Sequence, residues 1–255
     1  MKEIKRVKLY SIPVDVLTVN ETLGLVVDAI REKRLIHHTV INAGKISLMQ
    51  SDPELYKSVV EADIINADGM PVVWASRLVG RPLPERVNGT NLMESLIELS
   101  HRNGYKIFFF GAREEVVKRV VDRYTKEFGP AVIAGYRNGY FGPDDEEGIA
   151  RQIRDSGANI LFVAISSPIK ENFLYRYKEI LNSLNFVMGV GGSFDVVAGL
   201  VKRAPVWMQN AGLEWFYRFL QEPRRMFRRY TIGNLHFVWL TMKEFYRIRI
   251  LKRAD

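Results

Sequence analysis

Ile64-Ile65-Asn66-Ala67-Asp68-Gly69-Met70 reads as a short buried strand that runs out into a carboxylate and a glycine turn. Arg81-Pro82-Leu83-Pro84-Glu85-Arg86-Val87-Asn88-Gly89 follows, a proline-stiffened loop that brings Arg86 back towards Asp68. In an open α/β sheet, ligands sit in the crevice beyond the carboxyl ends of the strands. A carboxylate placed there is a candidate general base, and a nearby guanidinium is a candidate phosphate ligand. A plainer reading has Asp68 capping the helix that opens near Pro71 and Arg86 in a surface ion pair.

The same grammar repeats on either side. Residues 7–13 read as a short strand into a turn, and residues 18–33 carry Val19, Leu23, Val26, Val27 and Ile30 at helical spacing. His38-Thr39-Val40-Ile41-Asn42 is a β-branched strand. Ser51-Asp52-Pro53-Glu54 has the cap, proline and early acid of a helix start. Beyond the Arg86 loop, helices are expected over 91–103, 114–128, 144–156 and 172–182. Strands are expected over 106–112, 132–136 and 159–165, with a last one from Phe186 into Gly189-Val190-Gly191-Gly192-Ser193-Phe194-Asp195. These strands are apolar on both faces, which predicts an α/β fold with a mostly parallel sheet covered by helices on both sides.

The totals agree. The 255 residues are 47% hydrophobic and 26% charged, a globular composition. No cysteine is present, which excludes a disulfide framework, a thiolate nucleophile and Cys-ligated metal. Residues 1–19 have spread charges and no apolar core, so no signal peptide is expected, and no run of 18 apolar residues suggests a spanning helix. The net charge of +8 is concentrated at one end: residues 200–255 hold 12 Lys/Arg and 4 Asp/Glu, and the rest of the chain holds 25 of each. From about Val201 strands stop and the text turns aromatic and basic, with a long helix expected over 234–252.

Three strands end in small or polar residues, which points to one shared crevice. The glycine turn at 189–194 has G-x-G but Phe194 in the third glycine's place, which counts against a dinucleotide-binding oxidoreductase; a phosphate or sugar at the next helix start remains open, as does a simple tight turn. Gly111-Ala112 and Ser166-Ser167-Pro168-Ile169-Lys170-Glu171 are further places where helix amides or side chains meet an anion. The four histidines are scattered, and His37 and His38 point to opposite faces of a strand, so metal-independent chemistry with no cofactor is expected. The tail suits an anionic membrane surface, because Trp207, Trp215, Phe216, Phe219, Phe227 and Trp239 are a heavy apolar load for a solvated segment. A solvated helix packed on the body and a nucleic-acid binder are the alternatives.

Taken together, Asn42-Ala43, Ala67-Asp68-Gly69, Pro82-Leu83-Pro84-Glu85-Arg86-Val87-Asn88-Gly89, Asn138-Gly139-Tyr140-Phe141, Gly189-Val190-Gly191-Gly192-Ser193-Phe194-Asp195 and Val201-Lys202-Arg203-Ala204-Pro205 resemble the WecG/TagA/CpsF family of bacterial glycosyltransferases, glycosyltransferase family 26, over nearly the whole chain. The resemblance implies a Rossmann-like body of the GT-E type over residues 1–199 and a helical, membrane-associating appendage over 200–255. It implies inverting transfer from a UDP-sugar donor to an undecaprenyl-diphosphate-linked sugar acceptor, at the cytoplasmic face of the membrane. UDP-N-acetylmannosamine is the first choice of donor, with UDP-glucose or a UDP-uronic acid as alternatives; homo-oligomerisation is left open. By this likeness Asp68 is the base, Arg86 the pocket arginine and Asn42 the pocket asparagine. Gly69, Gly111, Tyr140, Lys170, Glu171, Gly191, Gly192, Ser193 and Asp195 are further substrate-binding candidates. Arg218, Arg224, Arg225, Arg228 and Arg229 are candidates for diphosphate or membrane contact.

Two positions depart from the family's pattern. Thr39 stands one place early relative to the family's Thr-x-Asn, which turns its hydroxyl to the other strand face. Lys170 stands where the family's Pro-Lys-Gln-Glu has glutamine, an ammonium suited to a sugar carboxylate or a diphosphate.

Overall fold

The computed structural model describes residues 4–221 and 223–251, and the side chains of these except Asn210 and 224–232. The chain opens with a hairpin, β1 (Arg6–Leu9) paired antiparallel with β2 (Ile12–Asp15), where a single strand was expected. Tyr10 and Ser11 at its tip both have positive φ, which matches the twist that a two-residue hairpin turn needs.

α1 (Val19–Arg31) starts at a capping box: Thr18 accepts from the Glu21 amide and Glu21 accepts from the Thr18 amide. Helices and strands then alternate through β3 (Ile36–Ile41), α2 (Ala43–Met49), α3 (Pro53–Val60), β4 (Ile64–Ala67), α4 (Met70–Leu78), α5 (Gly89–Asn103) and β5 (Ile107–Gly111). They continue through α6 (Glu114–Phe128), β6 (Ile133–Arg137), α7 (Glu146–Asp155), β7 (Ile160–Ala164), α8 (Ile169–Arg176), β8 (Phe186–Gly189) and α9 (Ser193–Val197). Helix α2 is short and escapes the sequence reading, since Ala43-Gly44 looks like a turn; the Asn42 side chain caps it by accepting from the Lys45 amide at 2.9 Å.

Strands β3 to β8 form one six-stranded parallel sheet in the order β4-β3-β8-β7-β5-β6. Period-two alternation sends Phe109, Phe162 and Met188 to the face covered by α1, α5 and α6. Phe108, Phe110, Leu161 and Val163 go to the opposite face, under α7 and α8. Each fully buried side chain of this size contributes about 1.5–3 kcal/mol, which is why both faces need helical cover. All six strands run the same way, but the strand order switches around β3: β4 lies on one side of it and β8 returns on the other. The loops after β3, β4 and β8 therefore meet at the sheet's carboxyl edge.

After the sheet come only helices among the described residues: α10 (Val206–Asn210), α11 (Glu214–Gln221) and α12 (Pro223–Phe245), closed by a π-helical turn over Tyr246–Ile250. The long helix begins earlier than expected because Pro223 can occupy a first turn, where no amide partner is needed. α12 is joined to the body. Phe237 and Leu240 are buried with the hairpin and α4, and the Tyr10 and Thr241 hydroxyls lie 2.8 Å apart. The opposite side of the helix leaves Leu235, Val238, Trp239, Met242, Tyr246 and Ile250 exposed, so its outer stripe is apolar too.

Candidate active site

The end of β4 builds the site. The Asp68 amide donates to the Ile41 carbonyl at 2.8 Å, and the Val87 amide donates to the Ala67 carbonyl at 2.8 Å. The first bond holds the end of β4 to β3; the second stitches the proline loop onto the strand end and holds Arg86 beside Asp68. Gly69, at φ +103, turns the chain into α4 and is itself the N-cap, with no side-chain cap bond. Asp68 is therefore not spent on capping, and its carboxylate faces a cavity with Asn42, Arg86, Gly192, Ser193 and Arg218 around it.

Arg86 does make an ion pair, but not on the surface. Its Nη1 donates to Oε2 of Glu214 at 3.2 Å, with both side chains about four-fifths or more covered. Glu214, Trp215 and Arg218 come from α11, so the C-terminal helices supply one wall of the cavity. Burial pushes the Asp68 carboxyl up, and the negative Glu214 pushes it further. Arg86, Arg218 and Lys45 pull it back, and the balance leaves it raised to about 6. A carboxyl near that value is a good proton acceptor around neutral pH.

The remaining candidates divide. Ser193 is buried and donates to the Val190 carbonyl at 2.8 Å, with the Thr90 hydroxyl 2.8 Å away, tying α9 to α5 at the cavity. Gly191, at the positive φ that a tight turn needs, adjoins the lining without joining it. Lys170 and Glu171 do not line the cavity. Glu171 Oε1 receives Lys45 Nζ at 2.6 Å and Lys170 Nζ at 2.8 Å, all three side chains being buried. Burial raises the Glu171 carboxyl, and the two ammonium groups more than reverse this, holding it at about 2. The misplaced Thr39 hydroxyl serves the same cluster, accepting from Lys45 Nζ at 3.3 Å.

Gly111 also lies outside the lining; its backbone presses against Ala164, where a Cβ would come within 2.5 Å of the carbonyl oxygen. Tyr140 is exposed on another flank of the carboxyl edge, where it and Asp195 both act on Arg113. The side chains of Arg224, Arg225, Arg228, Arg229 and Phe227 lie outside the described residues. Among the described residues no group of three His, Cys, Asp or Glu side chains is placed to hold a metal ion.

Sequence reading missed Glu214 and Asn234 as parts of this wall. Glu214 had one visible signal, as the first acid in a strongly basic segment, but an acid in a helix's first turn is ordinary dipole complementation and hid it.

The parallel α/β sheet thus carries, at its carboxyl edge, a cavity with a raised carboxyl and two arginines, the place where open α/β enzymes bind their ligands. Residues 7–250 match the WecG/TagA/CpsF family of glycosyl transferases, and the chain belongs to that family. It is a glycosyltransferase. It is 37% identical over 178 residues, 69% of this chain and 68% of the relative, to the N-acetylglucosaminyldiphosphoundecaprenol N-acetyl-beta-D-mannosaminyltransferase of Bacillus spizizenii. It is 35% identical over 181 residues, 71% of this chain and 70% of the relative, to the protein of the same description from Bacillus subtilis strain 168.

Proposed function

We propose that this glycosyltransferase moves N-acetylmannosamine from a UDP-sugar donor to N-acetylglucosamine carried on undecaprenyl diphosphate, with inversion at the anomeric carbon. The observation that carries the mechanism is the Asp68 carboxyl, raised to about 6 in a cavity shared with Arg86. The acceptor hydroxyl oxygen attacks the anomeric carbon while Asp68 takes its proton. The bond from that carbon to the diphosphate oxygen breaks and UDP leaves. Arg86 and Arg218 stabilise the charge growing on the diphosphate. No metal is required by this scheme, since two guanidinium groups supply the positive charge.

The relatives' names support N-acetylmannosamine as the sugar and the lipid diphosphate as the acceptor. The position of Lys170 supports it as well, because its ammonium is engaged with Glu171 outside the cavity and is not placed to receive a donor's carboxylate. UDP-glucose and UDP-uronic acids are the competing donors.

Among the described residues no helix is long and apolar enough to cross a membrane. The exposed apolar stripe of α12 and the basic charge of residues 200–255 support a peripheral seat on an anionic bilayer, at the cytoplasmic face where UDP-sugars are held. That seat also suits a lipid-anchored acceptor.

The test is transfer from a panel of UDP-sugars to a short-chain lipid-diphosphate-N-acetylglucosamine, with EDTA present, for the wild type and Asp68→Asn. Product from the N-acetylmannosamine donor, reduced about 10²–10⁴-fold in the variant, is expected. Full activity in Asp68→Asn removes Asp68 as the base, and product from another donor alone removes the donor assignment.

A further inference from the structure

Glu214 is a carboxylate brought by a distant helix to the one place in the cavity where negative charge is hardest to explain. In the proposed reaction Arg86 supplies positive charge to the leaving diphosphate, yet Glu214 Oε2 lies 3.2 Å from Arg86 Nη1. Burying a carboxylate beside a second one, Asp68, is unfavourable unless each has a cationic partner. Both have such partners: Arg86 binds Glu214, and Arg86, Arg218 and Lys45 all act on Asp68.

We infer that Glu214 is a positioning residue for the transfer, seating the Arg86 guanidinium opposite Asp68 so that the C-terminal helices complete the catalytic geometry. The inference rests on the glycosyltransferase reading above. Two physical effects support it. A guanidinium is a planar fork of five donors, so anchoring it through Nη1 sets its plane and aims the other donors. Arg86 sits on a loop, where an unanchored long side chain would sample many rotamers and lose entropy on meeting the diphosphate. The second effect is electrostatic. The groups acting on Asp68 are Glu214 and Arg218 from α11, Arg86 from the loop after α4, and Lys45 from α2; of these Glu214 alone is negative. It keeps the base more basic than its three cationic neighbours would leave it.

The rival role is a competing anion: Glu214 would block Arg86 until the donor's diphosphate displaces it. The two roles differ in sign. A positioning residue helps turnover, whereas a blocking anion weakens donor binding and slows nothing when it is removed.

The experiment compares the full-length wild type with Glu214→Gln and Glu214→Asp. Glu214→Gln keeps the shape and removes the charge, and thermal unfolding checks that it folds. Three readouts are taken: kcat and KM for the UDP-sugar, UDP binding by calorimetry, and titration of Asp68 by carbon NMR of carboxyl-labelled aspartate. In Glu214→Gln, kcat is expected to fall about tenfold. The Asp68 titration and the acid limb of the pH–rate profile are both expected to move to lower pH. Glu214→Asp should recover the titration and part of the rate.

An unchanged Asp68 titration and rate overturn the inference and leave Glu214 as a docking contact for α11. Tighter UDP binding with undiminished kcat overturns it in favour of the competing anion. If the wild type transfers no sugar, the functional reading fails by itself. The NMR titration then still decides whether Glu214 governs Asp68, because it needs no substrate.

Discussion

The amide of Val87 donates to the carbonyl of Ala67 at 2.8 Å, and this bond places the loop's arginine against the strand's carboxylate. Asp68 and Arg86 lie 18 residues apart in the chain but directly follow and precede the two bonded residues. Backbone hydrogen bonding, not side-chain attraction, therefore sets their approach. The ion pair of Arg86 is then free to form with a third element, α11, and the site acquires a wall made by the C-terminal helices.

The raised carboxyl of Asp68 costs the fold stability. The unfolded chain has an ordinary carboxyl near pH 4, whereas the folded one titrates at about 6, so the native state holds the proton more tightly. The group favours folding most below the unfolded value. This benefit is lost as pH rises from about 4 to about 6, and the full cost applies above that. Asp68→Asn is expected to be more stable than wild type at pH 8 by about 1–3 kcal/mol, with the gap closing by pH 4. Urea unfolding at several pH values checks this; an Asn variant that is less stable at pH 8 contradicts the burial cost.

The buried cluster of Lys45, Lys170 and Glu171 is asymmetric, with two ammonium groups on one carboxylate. Glu171→Gln strips both of their counter-charge and is expected to cost about 3–5 kcal/mol. Lys170→Gln keeps the Lys45–Glu171 pair and is expected to cost less than about 2 kcal/mol. Because Glu171 is depressed to about 2, its contribution is present above the ordinary carboxylate range and fades as pH falls from about 4 to about 2. Denaturant melts of both variants at pH 7 check the ranking, and equal losses would refute it.

Gly111 tests a structural role against a binding one. With φ at +125 and a would-be Cβ at 2.5 Å from the Ala164 carbonyl, Gly111→Ala strains its own backbone and pushes β5 from β7. A loss of at least about 2 kcal/mol is expected. Gly148→Ala, in the open on α7, is the control and should be neutral or slightly stabilising. Parallel thermal melts separate the two. A stable Gly111→Ala with weakened UDP binding would restore Gly111 as a ligand contact.

The outer stripe of α12 offers a test of the membrane seat. Leu235→Ser, Met242→Ser and Ile250→Ser, combined, remove exposed apolar surface and touch none of the buried residues Phe237, Leu240 and Thr241. Co-sedimentation with vesicles containing anionic lipid should fall about tenfold or more, since each buried CH₂ contributes about 0.8 kcal/mol. The melting temperature should stay within a few degrees of wild type. Undiminished vesicle binding would move the membrane seat elsewhere.

Much of the fold was legible before any coordinates. Residues 106–112 and 159–165 are short apolar runs bounded by glycine or serine, and such runs are comfortable only in the middle of a covered parallel sheet. Helix α6 spans Glu114–Phe128, the bounds its sequence predicts, because its hydrophobic spacing is strong and glycine follows it. The hairpin and α2 were not legible. β1 and β2 are four residues each and gain their cover from α4 and α12, while α2 depends on packing and on the Asn42 cap. Local propensity is silent about elements that exist because of their neighbours.

The site divides along the same line. Sequence alone determined the chemistry at hand: a strand ending in Asp68-Gly69, a loop carrying Arg86 and a glycine turn before Ser193, all in the register of one sheet's carboxyl edge. Those features are local, since strand, turn and loop residues announce themselves within a few positions. Tertiary structure alone decided which charges meet. Glu214 reaches Arg86 across 128 positions of chain, and Lys170 turns to Glu171 and away from the cavity, because charge pairing depends on distance in space and on burial, which chain spacing does not record.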